Sequence, residues 1–191
     1  VHDALFLGYQ DERVQVPMIF QLRNMMKAVF LWSGLFLLFP PVSSRATETT
    51  YSYSFTGTVM EVIEGDLLML LHKGKLVQVR LSDIDCPDEG QAFSKQARQF
   101  SAMLVFSGPV SVHVKELDPK GRAVAEVVMM DKGLNLNREL VKAGLAWWRW
   151  KKTDDTSYGD LEETARSMKI GLWKEEDPMP PWEFRSKKGG H

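Results

Sequence analysis

A single cysteine, Cys86, stands in the 191-residue chain. One cysteine cannot close an internal disulfide, and it cannot meet the paired spacing of a zinc site. The fold must therefore stand on its core. Excess positive charge is missing too. Lys and Arg total 24 against 25 for Asp and Glu, a formal net charge of −1. A protein that holds nucleic acid by bulk charge is strongly basic, so any such binding here has to come from a local site. Repeats, low-complexity tracts and blocks of like charge are absent, and the mixed signs describe an ordinary solvated surface. The apolar run at residues 28–39 is too short to span a bilayer comfortably, which takes about 20 residues.

That run has a specific frame. Arg23 and Lys27 precede it, Pro40-Pro41 follow it, and Ser44 and Ala46 occupy the small-residue positions of a cleavage site. This is the layout of a secretory signal peptide. Residues 18–46 are read as that peptide, and the protein is expected to be secreted or periplasmic after cleavage near Ala46. An uncleaved run would instead tether the chain to a membrane. Residues 1–17 fit no element and are read as a gene-start extension ahead of Met18, Met25 or Met26.

The remaining length suits one domain with a real core. Strand signals fall at 54–63, 66–71 and 76–81, broken by Glu64-Gly65 and by His72-Lys73-Gly74, a three-residue hairpin loop with glycine in the left-handed position. Residues 91–106 change period. Phe93, Ala97, Phe100, Leu104 and Val105 fall on one helical stripe, and Gly108-Pro109 ends it. Two more strands, 110–116 and 122–130, flank Asp118-Pro119-Lys120-Gly121. Helices follow at 135–143 and 159–169, with Gly144 and Gly171 at C-cap positions. Five strands with a helix after the third is the order of an OB-type barrel. The fold class is thus α+β, a five-stranded OB-like barrel with about three helices. A short linker (47–53) leads into the domain (54–175), and a Pro/Trp-containing tail (176–191) closes the chain. Periodicity alone also fits another small α+β sheet.

Counting back from the three-residue loop puts Asp66 opposite Arg80, on one face of the sheet. Beyond Arg80 comes Ser82-Asp83-Ile84-Asp85-Cys86-Pro87-Asp88-Glu89, with four carboxylates inside seven residues. Carboxylates and carbonyls suit a hard cation such as calcium. A guanidinium matches a phosphate in shape and charge. Together they describe a site for phosphodiester hydrolysis, in which cations stabilise developing charge and a carboxylate handles the water. The same residues also fit a solvated acidic turn shaped by Asp85 and Pro87.

Several ordered motifs separate these readings. Glu64-Gly65-Asp66-Leu67, Arg80-Leu81-Ser82-Asp83-Ile84-Asp85-Cys86-Pro87-Asp88 and Asp118-Pro119-Lys120-Gly121-Arg122 occur in sequence. Asn137 to Leu145, Gly171-Leu172-Trp173 and Pro180-Pro181-Trp182-Glu183 follow them. From Thr58 to Trp173 the chain resembles the staphylococcal nuclease (thermonuclease) family. The resemblance implies calcium held by Asp66, Asp85 and the carbonyl of Cys86. It also implies Arg80 and Arg122 on the scissile phosphate, with Asp88 in the place of the family's water-positioning glutamate. The implied substrate is DNA or RNA, cut to leave 3′-phosphate ends. Lys120 and Trp148 are expected on the substrate, and the protein is expected to be a monomer.

Departures from the family pattern predict reduced activity. Asp88 is one methylene shorter than glutamate, and Glu89 is its alternative. Leu67 replaces a threonine, Lys120 stands where a tyrosine is usual, and Gly90-Gln91 leads straight into the helix without a long basic loop. The neighbouring carboxylates argue against Cys86 as a nucleophile. Trp147, Trp148, Trp150 and Arg149 fit either base stacking or packing under the last helix. A non-catalytic OB module that binds nucleic acid or a protein is the alternative function.

Overall fold

The computed structural model describes residues 52–106, 108–153 and 155–189. The expected signal peptide and gene-start extension lie outside the described residues. Among the described residues, no helix is long and apolar enough to cross a membrane.

The elements are β1 (Tyr53–Glu64), β2 (Leu67–His72), β3 (Lys75–Leu81), β4 (Ile84–Asp85), α1 (Ser94–Val105), β5 (Val110–Leu117) and β6 (Ala123–Met129). Then come α2 (Leu136–Lys142), β7 (Trp147–Trp148), α3 (Ser157–Ser167), a 3-10 turn (Gly171–Lys174) and α4 (Pro181–Lys188). Five strands close a barrel in the order β1-β2-β3-β6-β5, antiparallel except for β3 beside β6. The expected OB-like α+β fold is therefore present, with four α-helices among the described residues in place of about three.

The barrel interior follows from period-two alternation. Leu68 and Leu70, Val79 and Leu81, Val112 and Val114, and Ala125 and Val127 are fully or almost fully buried. In β1 the inward pair is Val59 and Val62, an odd spacing. A register shift between Val59 and Glu61 absorbs the extra residue, as a bulge does. Burial of Leu136, Leu140 and Val141 seats α2 against the same core.

Three local expectations need correction. The β2–β3 turn has two residues, Lys73 and Gly74, both at positive φ (48° and 76°), so His72 pairs with Lys75. That geometry matches the twist of the strands better than a three-residue loop. Arg80 is consequently opposite Leu67, and Asp66 lies just before β2. The first helix begins at Ser94, because the Gln91 side chain accepts a hydrogen bond from the Asp88 N–H (2.9 Å) outside it. After α3 both Lys169 (φ 51°) and Gly171 (φ 58°) are left-handed, and Gly171 starts the 3-10 turn. Gly171 is needed there because its backbone is packed on that of Gly144, and a Cβ on either residue would strike the other strand of chain.

Candidate active site

The site grows from the end of β3 and the β4 loop. A buried amide holds this loop. Asn137 donates to the carbonyls of Ser82 (3.0 Å) and Ala125 (3.2 Å) and accepts from the Val127 N–H (3.1 Å). The Asp83 carbonyl accepts from the Arg149 N–H (2.8 Å), and β4 pairs with β7. Asp83 takes a left-handed conformation (φ 64°), and its carboxylate is bound by Ser82 and by Lys115. Gly65 is forced by packing, since a Cβ there would stand 2.9 Å from Cys86 Sγ and 2.8 Å from Ala97.

On this frame Arg80 lies among three carboxylates. Its Nη2 is 3.2 Å from Asp66 Oδ2 and 3.6 Å from Asp85, and its Nη1 is 3.9 Å from Glu64. Asp66 and Asp85 are both buried. The sequence placed Asp66 beside Arg80 by direct pairing. The structure brings the two together from adjacent positions, with the Leu81 N–H donating to the Asp66 carbonyl (2.8 Å). Burial pushes the Asp66 carboxyl up to about 6, helped by Asp85 and Glu64 and opposed by Arg80. For Arg80, burial lowers its proton affinity, but Asp66, Asp85 and Glu64 outweigh this and leave it above its ordinary value. Cys86 is buried, and burial with Asp66 and Asp85 nearby raises its thiol well above the usual range. Its thiol is therefore protonated and inert, while its N–H donates to Asp66 (3.4 Å).

Arg122 stands across the cleft on β6's approach. Its Nε donates to Asp118 Oδ2 (2.6 Å), and its own N–H and that of Lys120 donate to Asp118 Oδ1 (2.9 Å each). The opposing cost of burial is outweighed by these bonds, which hold Asp118 below its ordinary value. Asp118 thus fixes the turn and aims Arg122 by one edge of its guanidinium. Arg80, Asp85, Asp88, Lys120 and Arg122 line one cleft of about 990 Å³. Asp66 lies beneath it. Seven basic side chains and six carboxylates line this cleft among the described residues, and Asp66 beneath it balances the count, so cations and anions are interleaved there.

Two expected residues fall elsewhere. Glu89 is exposed and lines a separate hollow with Gln91 and Lys95 beside α1. Trp148 is half-buried, packed on the core and over Gly159, and faces a second hollow with Trp150 and Glu162. Arg149 and Lys152 line the main cleft instead.

One participant was missed from sequence. Arg185, in α4, puts Nη2 2.6 Å from Asp85 Oδ2 and Nη1 3.3 Å from Asp85 Oδ1. The same Nη1 is 2.8 Å from Asp88 Oδ1 and 3.1 Å from Asp88 Oδ2. Burial works against this guanidinium's charge, and the bonds and charges of Asp85 and Asp88 more than restore it. The signal available was Pro180-Pro181 followed by Trp-Glu-Phe-Arg: a proline at N1 opens a helix, and a helix there carries Arg185.

As donors for a hard cation, the site offers Asp66 and Asp85, with oxygen chemistry that suits calcium. Among the described residues no three acidic, imidazole or thiol side chains gather tightly enough to hold an ion alone. Asp66 nonetheless fits the group. It is fully buried, Arg80 is its one cationic partner among the described residues, and burial raises its proton affinity, as for a carboxylate that a cation would stabilise.

A five-stranded barrel with paired carboxylates and guanidiniums at the mouth of one cleft defines an OB-type protein equipped for phosphate chemistry. Residues 78–175 match the family model described as staphylococcal nuclease homologue. A protein named micrococcal nuclease from Shigella flexneri is 36% identical over 141 residues, 69% of this chain and 80% of that one. An uncharacterized endonuclease from Haemophilus influenzae is 32% identical over 162 residues, 84% of this chain and 87% of that one. A plant relative, staphylococcal-like nuclease CAN1 of Arabidopsis thaliana, is 30% identical over 116 residues, 61% of this chain and 35% of that one. The chain belongs to the staphylococcal nuclease family.

Proposed function

We propose that the protein is a calcium-dependent phosphodiesterase that hydrolyses DNA or RNA strands in the Arg80–Arg122 cleft. The observation that carries this reading is the gathering of Arg80, Asp66, Asp85 and Asp88 at one end of the barrel, with Arg122 and Lys120 lining the same cleft. The names of the relatives, a micrococcal nuclease and an uncharacterized endonuclease, support it.

Asp66, Asp85 and the Cys86 carbonyl would hold the calcium ion. When bound, that ion supplies positive charge that polarises the phosphate and favours ionised water. The chain's own groups do the rest. Arg80 and Arg122 bind the non-bridging phosphate oxygens, and their hydrogen bonds strengthen as negative charge grows on them in the transition state. Arg80 is kept protonated by Asp66, Asp85 and Glu64. Asp88 accepts the proton of the attacking water at a carboxylate oxygen. Lys120, Arg149 and Lys152 offer charge to the flanking phosphates. Asp118 keeps Arg122 from swinging out of the cleft.

The test is incubation of the purified protein with single-stranded DNA, with calcium and with excess chelator. Weak sites of this kind bind calcium at roughly 10⁻⁴–10⁻³ M, so cleavage is expected in millimolar-range calcium and not in chelator. Retention of the DNA with no cleavage in either condition would favour the non-catalytic binding module.

A further inference from the structure

We propose that Arg185 is a resident cation of the metal site, which calcium must displace from Asp85, so that docking of α4 and metal binding oppose one another. The inference rests on the metal-assisted reading above.

The guanidinium meets Asp85 side-on, one nitrogen on each carboxylate oxygen (2.6 and 3.3 Å). A hard divalent cation binds carboxylate oxygen at roughly 2.3–2.6 Å. It would draw on the oxygens that Arg185 already occupies, and the two cations would lie within direct repulsion of one another. The two carboxylates are also unequally served. Asp85 has Arg185 and Arg80, whereas Asp66 has Arg80 alone. The share of positive charge that Asp66 lacks is held at Asp85 by α4.

The segment carrying the helix is moored at two points besides Arg185. The Gln91 side chain donates to the Met179 carbonyl (2.9 Å) while its oxygen holds the Asp88 N–H. Trp182 meets Trp147 edge-on, with ring centroids 5.9 Å apart. Gln91 therefore ties the loop carrying Asp88 to the segment carrying Arg185. Each contact is light, and the Arg185 side chain is 44% exposed, so the guanidinium can leave without unfolding the barrel. By linkage, whatever factor Arg185 takes from calcium affinity, calcium takes from α4 docking.

The test is calorimetric titration of the full protein with calcium chloride at fixed pH and ionic strength, on the parent, Arg185→Gln and Trp182→Ala. The glutamine keeps length and polarity but loses the charge. Removing Trp182 loosens α4 without touching a carboxylate. Both variants are expected to bind calcium more tightly than the parent, Arg185→Gln by about tenfold, within the usual range of coupling between sites. A second readout needs no variant. Tryptic cleavage after Arg185 requires the guanidinium to be free, so in the parent calcium should raise cleavage after Arg185 relative to cleavage after Lys188. Equal or weaker affinity in Arg185→Gln, with calcium still bound by the parent, overturns this inference and leaves the metal reading standing. No calcium binding by any of the three proteins overturns both.

Discussion

Asp66 and Asp85 share the Arg80 guanidinium, yet only Asp85 has a second cation. Asp66 therefore carries a cost that depends on pH. In the folded chain it keeps its proton up to about pH 6, against an ordinary value of 3.8. Between those values the folded state binds more protons than the unfolded state, so stability falls as pH rises. At about 1.4 kcal/mol per pH unit the loss is roughly 3 kcal/mol, complete above about pH 6. Asp66→Asn removes it. In chelator, thermal denaturation should show Asp66→Asn more stable than the parent near pH 8, with the advantage gone near about pH 4. An advantage that does not change with pH would count against the raised value.

Asp88 poses a question of reach. Both its oxygens lie on Arg185, and one methylene separates it from the glutamate of related enzymes. Asp88→Glu should raise single-turnover cleavage, and Asp88→Ala should lower it. Glu89, facing another hollow, should be replaceable by alanine with little change in rate. A damaging Glu89→Ala beside a silent Asp88→Ala would move the base to Glu89.

At the scale of elements, one buried side chain ties the start of the loop from β3 to α1 to β6. Asn137 serves Ser82, Ala125 and Val127, all from a fully buried position. Asn137→Ala would leave the buried Val127 N–H and the Ser82 carbonyl without this partner, while the Ala125 carbonyl keeps the Ser82 N–H (2.8 Å), at about 1–3 kcal/mol for an unsatisfied group. A lowered midpoint in denaturant, with unchanged slope, is the expected result. The strands and helices of this frame were legible because their periods are strong. Leu68 and Leu70 alternate inward as β-strand residues do, and Ala97 and Val105 fall on the buried side of α1. The hairpin register was not legible. It depended on whether Lys73 would take positive φ, which is uncommon outside glycine and which a lysine does not announce in sequence. β4 and β7 were invisible because each has two residues, too few to show alternation. Trp147 and Trp148 read equally well as a stacking platform or as packing, and their pairing with β4 carries no local period.

At the scale of the whole molecule, charge is divided unevenly. The chain has one more acid than base, yet seven basic side chains gather along one cleft, among the described residues. Substrate binding thus comes from a few local contacts. Most of the site lies within a short stretch of chain, Glu64 to Asp88, and was readable from spacing and motif. Arg122 became readable only through its motif. Arg185 was not readable, because it arrives from 97 residues beyond Asp88 and its role is set by how α4 docks. Long-range closure of this kind carries no local period.

The account turns on the two cleft arginines acting on charge that develops during hydrolysis. The most direct measurement is single-turnover cleavage of a short single strand of DNA at saturating calcium by the parent, Arg80→Ala and Arg122→Ala, with folding checked separately. Rates in both variants should fall by roughly 10²–10³, as for loss of one donor to a developing oxyanion, with a smaller change in substrate binding. Both variants cleaving as fast as the parent would contradict the account.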